Sequence, residues 1–320
     1  MMGKRYLVTG GAGFVGSVLS HRLTAAGNDV TVVDDLSNGK RENVPAGANF
    51  LKLDLADESA CGALTDLRFD AVIHCAAQSS NAISFKNPRA DLAANQLATL
   101  NLLEFCRQQG VKRFLFTSSM SVYGKPKSFP TPETEPCYPD SFYAVHKLAS
   151  EHYVRIYAQE YGLEPTVFRL YTTYGYGQNL ANMQQGLLSI YLGYILRDQP
   201  LVVKGSGARA RDIVHVEDVV DAMVLSLHNP VTIGKTYNLG AGESHTINTL
   251  IRDLLVGLGK DPDSYPIRWD PPTQGDPPRT HALIQSIAND IGWRPKISAE
   301  DGIRRTVEGY RSTEQTGVKK

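Results

Sequence analysis

Arg5-Tyr6-Leu7-Val8-Thr9-Gly10-Gly11-Ala12-Gly13-Phe14-Val15-Gly16 runs from an apolar strand through a glycine turn into a helix. The spaced glycines have separate tasks. Gly10 lets the chain turn tightly, Gly13 lets a pyrophosphate approach the backbone, and Gly16 lets the helix lie close to the sheet. Phosphates placed there meet free backbone N–H groups at the helix start, around Phe14 and Val15. A second strand ends in Asp34, eighteen residues after Gly16. A carboxylate there can bond both ribose hydroxyls and repel a 2′-phosphate. Asp35 adds a second negative charge, and Asn38 follows in the same turn. Glycine turns are common, but strand, turn, helix and acid in this order favour a dinucleotide site, with NAD preferred over NADP.

The surrounding sequence alternates strands and helices. Strands are predicted at Arg5–Thr9, Val30–Asp34, Asn49–Asp54, Ala71–His74, Phe114–Ser118 and Thr166–Leu170, and helices at Phe14–Ala26, Asp91–Gln109 and Tyr143–Tyr161. This order predicts an α/β fold whose doubly wound parallel sheet has right-handed crossovers and helices on both faces. After Tyr174 the pattern changes. Tyr174–Gly186 and Lys204–Arg209 read as loops, and Trp269–Pro278 holds four prolines and reads as irregular. With a helix at Thr246–Leu258 they suggest a smaller α/β substrate-binding lobe. Asp212–Leu239 regains buried-strand and helix character, so the expected division is 1–174 plus about 212–240 for the dinucleotide lobe. The smaller lobe takes about 175–211 plus 241–320. The last ten residues are polar and are expected to fray.

Thirty-three Lys and Arg balance 33 Asp and Glu, which disfavours a nucleic-acid partner. Cys61, Cys75, Cys106 and Cys137 have no metal-ligand spacing, so no metal site is expected. With no leader-like start and no apolar run of the roughly 18 residues needed to cross a bilayer, the expected location is a reducing cytoplasm.

Tyr143-Ala144-Val145-His146-Lys147 places a phenol and an ammonium four residues apart, on one face of a helix. A phenol of pKa about 10 is a poor base at neutral pH. A neighbouring ammonium favours the phenolate. Phe116-Thr117-Ser118-Ser119-Met120-Ser121-Val122-Tyr123-Gly124 ends a strand, and ligands bind at the carboxyl ends of strands in such sheets. A hydroxyl there can bond a substrate hydroxyl or the carbonyl it becomes. His146 neighbours Lys147 and so faces elsewhere on the helix. It reads as structural, as do His152 and His215.

These motifs resemble the extended short-chain dehydrogenases/reductases, and within them the NAD-dependent sugar-nucleotide epimerases and dehydratases of the UDP-galactose 4-epimerase type. The glycine spacing is GxxGxxG, the Tyr143/Lys147 pair is YxxxK, and Ser118–Gly124 matches Ser-Ser-x-x-Val-Tyr-Gly. The resemblance makes Ser119, Tyr143 and Lys147 the catalytic set. It places Asp54-Leu55, Ala76-Ala77-Gln78 and Asn95 near NAD, with Lys147 also holding the nicotinamide ribose. Lys204–Val216 resembles the Gly-x-Gly…Arg-Asp-Phe-Val-His-Val segment, which implies that Arg211 binds the diphosphate of a UDP-sugar. A planar, permanently charged guanidinium suits that task. Gly275-Asp276 and Ile291-Gly292-Trp293-Arg294-Pro295 resemble the closing motifs. Further implied substrate contacts are Ser79, Ser121, Thr172, Asn179, Leu180, Val202, Lys204, Asp276, Arg279 and Thr280. Three departures fall on the sugar side. Thr273 replaces an expected Arg, with Arg279 as a substitute; Thr172 replaces Asn, as in UDP-glucuronate 4-epimerases; and Ala-Asn-Met-Gln-Gln-Gly follows Leu180 instead of a Pro-containing run. The implied reaction is 4-epimerisation of a UDP-hexose by a homodimer paired through Asp91–Gln109 and Tyr143–Tyr161. UDP-glucuronate epimerisation, dehydratase or decarboxylase chemistry, and non-catalytic NAD sensing are the alternatives.

Overall fold

A computed structural model describes residues 3–272 and 275–315, with side chains to Ser312. The first half builds β1 (Arg5–Thr9), α1 (Phe14–Ala25), β2 (Asp29–Asp34), β3 (Asn49–Lys52), β4 (Ala71–His74), α2 (Asn81–Lys86), α3 (Pro88–Leu92), α4 (Ala98–Gln109), β5 (Arg113–Ser119), α5 (Phe142–Tyr161) and β6 (Glu164–Leu170). The second half adds β7 (Thr172–Tyr174), α6 (Leu187–Leu196), β8 (Leu201–Lys204), β9 (Ala210–Arg211), β10 (Ile213–His215), α7 (Val216–Leu227), β11 (Lys235–Leu239), β12 (His245–Thr246), α8 (Ile247–Gly257), β13 (Ile267–Asp270), α9 (Gln285–Ile291) and α10 (Ala299–Gln315). Seven strands form one parallel sheet in the order β11-β6-β5-β4-β1-β2-β3.

Side chains alternate across this sheet, as the two-residue strand period demands. Tyr6, Val8, Val30, Val32 and Leu115 pack under α1 and α7. Leu7, Val33, Phe114 and Phe116 pack under α4 and α5. A third core joins α6, β8, α8 and α10 through Leu192, Leu201, Leu254 and Ile303. Ile287 and Trp293, late in the chain, belong to the first core. Trp293 is pinned there by its indole N–H, which donates to the Asp218 carbonyl at 3.0 Å.

Four sequence expectations are corrected. Asp91–Gln109 is not one uniform helix, because Ala93–Leu97 forms a π-helical turn between α3 and α4. Strand β3 stops at Lys52, before Asp54. Trp269 and Asp270 belong to β13, which pairs with β8, so the stretch Trp269–Pro278 opens as strand rather than as irregular chain. Of the last ten residues, expected to fray, 311–315 continue α10, the Arg311 guanidinium donating to the Leu258 carbonyl at 2.7 Å, and 316–320 lie outside the described residues.

The glycine turn shows why the motif is spaced as it is. Gly10 has φ +67°, and a Cβ there would sit 2.6 Å from the Ala76 backbone nitrogen. A Cβ on Gly16 would lie 2.1 Å from the Gly10 carbonyl oxygen, which the backbone cannot yield without moving α1 off the sheet. Gly16→Ala is therefore expected to cost about 3 kcal/mol or more in denaturant unfolding. Gly62→Ala, where a Cβ meets nothing within 4 Å, serves as the silent control. Equal midpoints for the two variants would contradict this account.

Candidate active site

The sheet order puts β1 between β2 and β4, so the turn Gly10–Gly13 lies between the loops that leave those two strands. A Cβ at Gly13 would meet only the Gly10 carbonyl oxygen, at 3.2 Å, so the helix start keeps an open approach. The backbone there suits a dinucleotide pyrophosphate, with Phe14 and Val15 as the next residues. Asp34, at the end of β2, is buried. Its carboxylate accepts N–H bonds from Ala12 at 3.0 Å and Leu36 at 2.9 Å. Burial raises its pKa, against those two hydrogen bonds. Asp35 is turned toward its own loop, accepting from the Ser37 N–H at 2.9 Å. Asp54 likewise accepts from the Ala56 N–H at 2.9 Å, while the Leu55 side chain is taken up by the core.

Behind the turn lies a buried polar chain that begins at His74. The Thr99 hydroxyl donates its only proton to the Asn95 carbonyl at 2.5 Å, so the His74 Nε2–H donates to Thr99 at 3.0 Å. Nδ1 then accepts from Thr9 at 2.7 Å. Burial and the Lys147 charge hold the His74 pKa at about 3, and the ring is neutral. The π-helical turn carries Asn95 inward, a frequent device at functional sites. Its amide N–H groups donate to the Gln78 carbonyl at 2.9 Å and to the Asp91 carboxylate at 3.1 Å. Asp91 also takes a 2.5 Å bond from the Gln78 amide and holds His146 Nδ1 at 2.6 Å. His146 is thus a structural partner of Asp91. His215, also read as structural, caps α7 by accepting the Glu217 N–H at 3.3 Å.

The YxxxK pair sits on α5, capped by Ser141. Tyr143 and Lys147 are both buried. The Lys147 ammonium has no hydrogen-bond partner among the described residues and rests 4.7 Å above the Phe116 ring. Burial lowers its pKa to about 8, against the raising effect of Cys75, Asp91 and Glu151. Burial raises the Tyr143 phenol to about 12, while a hydrogen bond with Ser119 pulls it down. Ser119 ends β5, 2.5 Å from the Ser121 hydroxyl. Ser118, by contrast, is tied to Glu151 at 2.5 Å, and Glu151 forms a buried ion pair with Arg169 at 2.7 Å.

The sugar-side candidates fall into separate groups. Buried Arg211 pairs with Asp276 at 2.6 Å, and Arg209, which sequence reasoning passed over, pairs with the other oxygen of the same carboxylate. Arg279 and Thr280 line a small cavity with Met120 and Tyr123, just beyond Ser119. The Thr280 hydroxyl already accepts the Asp212 N–H at 3.0 Å, and the Arg279 guanidinium lies 5.4 Å from the Phe129 ring centre. Thr273 lies outside the described residues. Thr172 opens β7, Asn179 and Leu180 lie in the loop after it, and Val202 and Lys204 lie on β8, all later in the chain order of the fold than Ser119 and Tyr143. The Ser79 hydroxyl accepts from the Gln185 side-chain amide.

A glycine-turn dinucleotide groove beside a Tyr-Lys-Ser cluster at the strand ends defines a short-chain oxidoreductase architecture. The model of the NAD dependent epimerase/dehydratase family matches residues 6–240, and the chain belongs to that family. It is 35% identical over 320 residues to a UDP-glucose 4-epimerase of Mycolicibacterium smegmatis, covering 97% of this chain and 100% of the relative. A UDP-glucose 4-epimerase of Thermotoga maritima, solved with UDP-glucose, superposes with a TM-score of 0.92 at 37% identity, covering 97% of this chain and 99% of that one. The Thermus thermophilus UDP-glucose 4-epimerase in complex with NAD gives 0.88 at 37% identity, covering 96% and 99%. Among the described residues no helix is long and apolar enough to cross a membrane, and no acidic, histidine or cysteine group could hold a metal ion.

The buried ammonium has a thermodynamic signature. Folded, Lys147 titrates near 8; unfolded, it titrates near its ordinary 10.5. Between those values the unfolded chain binds more protons, so the penalty is full below 8 and fades as pH rises toward 10.5. Lys147→Met in the ligand-free protein is expected to be more stable than wild type at neutral pH, by on the order of 3 kcal/mol. The gap should shrink in alkaline buffer, as read by unfolding across a pH series. A less stable variant with a pH-independent gap would contradict the reading.

Proposed function

We propose that this chain interconverts the C4 epimers of a UDP-hexose, UDP-glucose and UDP-galactose or their 2-acetamido counterparts, through a transient 4-keto sugar. The observation that carries the reading is the Tyr143, Ser119 and buried Lys147 cluster beside the glycine turn. It stands in a chain that matches UDP-sugar 4-epimerases over nearly its whole length.

The Gly10–Gly16 turn, Asp34 and Lys147 would hold NAD, which would supply a reversible hydride acceptor for C4. Without ligands the Tyr143 phenol stays protonated, because burial outweighs its hydrogen bond. The unpartnered Lys147 ammonium is the group that favours the phenolate once the site fills. Tyr143 then takes the proton of the 4-hydroxyl while Ser119 bonds the same oxygen. After the keto sugar presents its other face, Tyr143 returns the proton. Arg211, oriented by Asp276, meets the diphosphate; Thr172, Asn179, Leu180, Val202 and Lys204 complete the nucleotide-sugar pocket of the smaller lobe. Dehydration at C5–C6 requires a paired acid and base. Met120 has no proton to give, and the Ser121 hydroxyl is bonded to Ser119, so dehydratase chemistry is disfavoured. The same reading makes the protein a cytoplasmic homodimer. The exposed Leu92, Leu97, Phe142, Val145 and Ile156 on or beside α3, α4 and α5 supply an apolar face for the pairing.

The direct test supplies UDP-glucose or UDP-galactose with NAD and follows the anomeric protons by NMR. Either sugar should run to the same mixture without net reduced nicotinamide. Tyr143→Phe should lower kcat at least about 10²-fold with substrate still bound. One-way conversion with stoichiometric reduced nicotinamide, or near-normal turnover by Tyr143→Phe, would overturn the proposal.

The cavity shared by Thr280, Arg279 and Met120 is the proposed sugar gate. Overfilling a packed site costs about 1–3 kcal/mol, enough for one side chain to set preference. Thr280→Tyr should therefore lower kcat/KM for UDP-N-acetylglucosamine about tenfold relative to UDP-glucose. An unchanged ratio would remove Thr280 as the gate. A preference of the wild type for UDP-glucuronate would instead assign Arg279 to a sugar carboxylate.

A further inference from the structure

The run Ala181-Asn182-Met183-Gln184-Gln185-Gly186 lies in the loop that leaves β7. It is rooted in the smaller lobe. The Tyr310 hydroxyl donates to the Gln178 carbonyl at 2.7 Å, the Gly177 N–H donates to that hydroxyl at 3.2 Å, and the Arg197 guanidinium donates to the Leu180 carbonyl at 3.1 Å. Its far end reaches the dinucleotide lobe at two places. The Asn38 amide donates to Gln185 Oε1 at 3.1 Å, and Asn182 Nδ2 donates to Asn38 Oδ1 at 2.8 Å. On the other side Gln185 Nε2 donates to the Ser79 hydroxyl, and the Ser80 hydroxyl donates to the Gln184 carbonyl at 2.7 Å.

The topology gives these bonds their meaning. Asn38 belongs to the loop after β2, and Ser79 and Ser80 to the loop after β4. Strand β1, whose glycine turn receives the pyrophosphate, lies between those two strands. A side chain bonded to both loops therefore spans the groove that the turn opens. The start of the same loop approaches that turn directly: Cβ atoms placed on Gly175 and Gly177 would lie 3.5 and 3.9 Å from the Phe14 ring.

We propose that Asn182 and Gln185 form a polar strap across the dinucleotide groove, which keeps NAD in the protein from one turnover to the next. The proposal rests on the NAD-dependent reading above. The two amides satisfy each other as well as both rims, with Asn182 Nδ2 also 3.2 Å from Gln185 Oε1. The cofactor leaves only when the strap is broken at one rim. An epimerase has a use for this device, because its cofactor returns to the starting state and never needs to exchange. Asn179 and Leu180 are candidates for the substrate side and precede the strap in the same loop. Nucleotide binding there is thus expected to tighten it.

The test loads the full-length protein with NAD and dilutes it into a dehydrogenase that consumes free NAD, which reports the release rate. Wild type, Gln185→Ala and Asn182→Ala are compared, each with and without UDP. Both variants are expected to release NAD about tenfold faster than wild type, equivalent to about 1.4 kcal/mol. Turnover at saturating NAD should stay within about twofold, and UDP should slow release in wild type more than in the variants. Release at the wild-type rate by both variants would overturn the strap while leaving the epimerase reading intact. So would a collapse of turnover at unchanged release, since the loop would then position the sugar. Failure of the wild type to bind NAD at all would instead sink the functional reading.

Discussion

A lysine ammonium enclosed without a hydrogen-bond partner among the described residues governs the arrangement of this site. Lys147 is buried on α5 and faces the Phe116 ring, where burial works against its charge. An unpaired buried charge is costly, and it survives only where the surrounding fold is over-determined. Here the surroundings are fixed from several sides. Phe116 is locked in the interior strand β5, with His74 stacked on it at 5.7 Å, while Glu151 is occupied by Ser118 and Arg169. The ammonium is thereby held in place beside Tyr143, where cofactor and substrate are proposed to meet.

The same logic explains the polar chain beneath the site. Thr9, His74, Thr99 and Asn95 form a directional series in which each hydroxyl proton has one acceptor. It ties the residue before the glycine turn to the π-helical turn, so that the dinucleotide groove and the Tyr-Lys-Ser cluster are set by one buried frame. Asp91 plays the matching role for His146, Gln78 and Asn95. Neither Asp91 nor His74 need touch a ligand: Asp91 holds Gln78 and Asn95, which are expected near NAD, and His74 is bonded to Thr9, the residue before the glycine turn.

Much of this was legible in the chain because its chemistry is local. Gly10, Gly13 and Gly16 lie within one turn, and Tyr143 and Lys147 lie one helical turn apart. The alternation of β-branched strands with helices fixed the parallel sheet. What the sequence hid are contacts across long separations. Asp91 meets His146 across 55 residues, Asn38 meets Gln185 across 147, and no periodicity connects them. The π-helical turn was hidden because its apolar spacing imitates an ordinary helix. Arg209 was hidden because its neighbour Arg211 carried the motif, and only the fold brings both to Asp276. The helical course of 311–315 depends on the docking of Arg311 on α8's end, which polar composition does not report.

The central claim is that oxidation and reduction occur at one carbon, inside one closed site. It is tested by supplying a UDP-hexose deuterated at C4 in ordinary water and following the label by NMR and mass spectrometry. The account predicts that the deuterium stays at C4 of both epimers at equilibrium, because the hydride that leaves C4 would return to C4 of the same sugar. Loss of the label to solvent, or retention only in unreacted substrate, would contradict it.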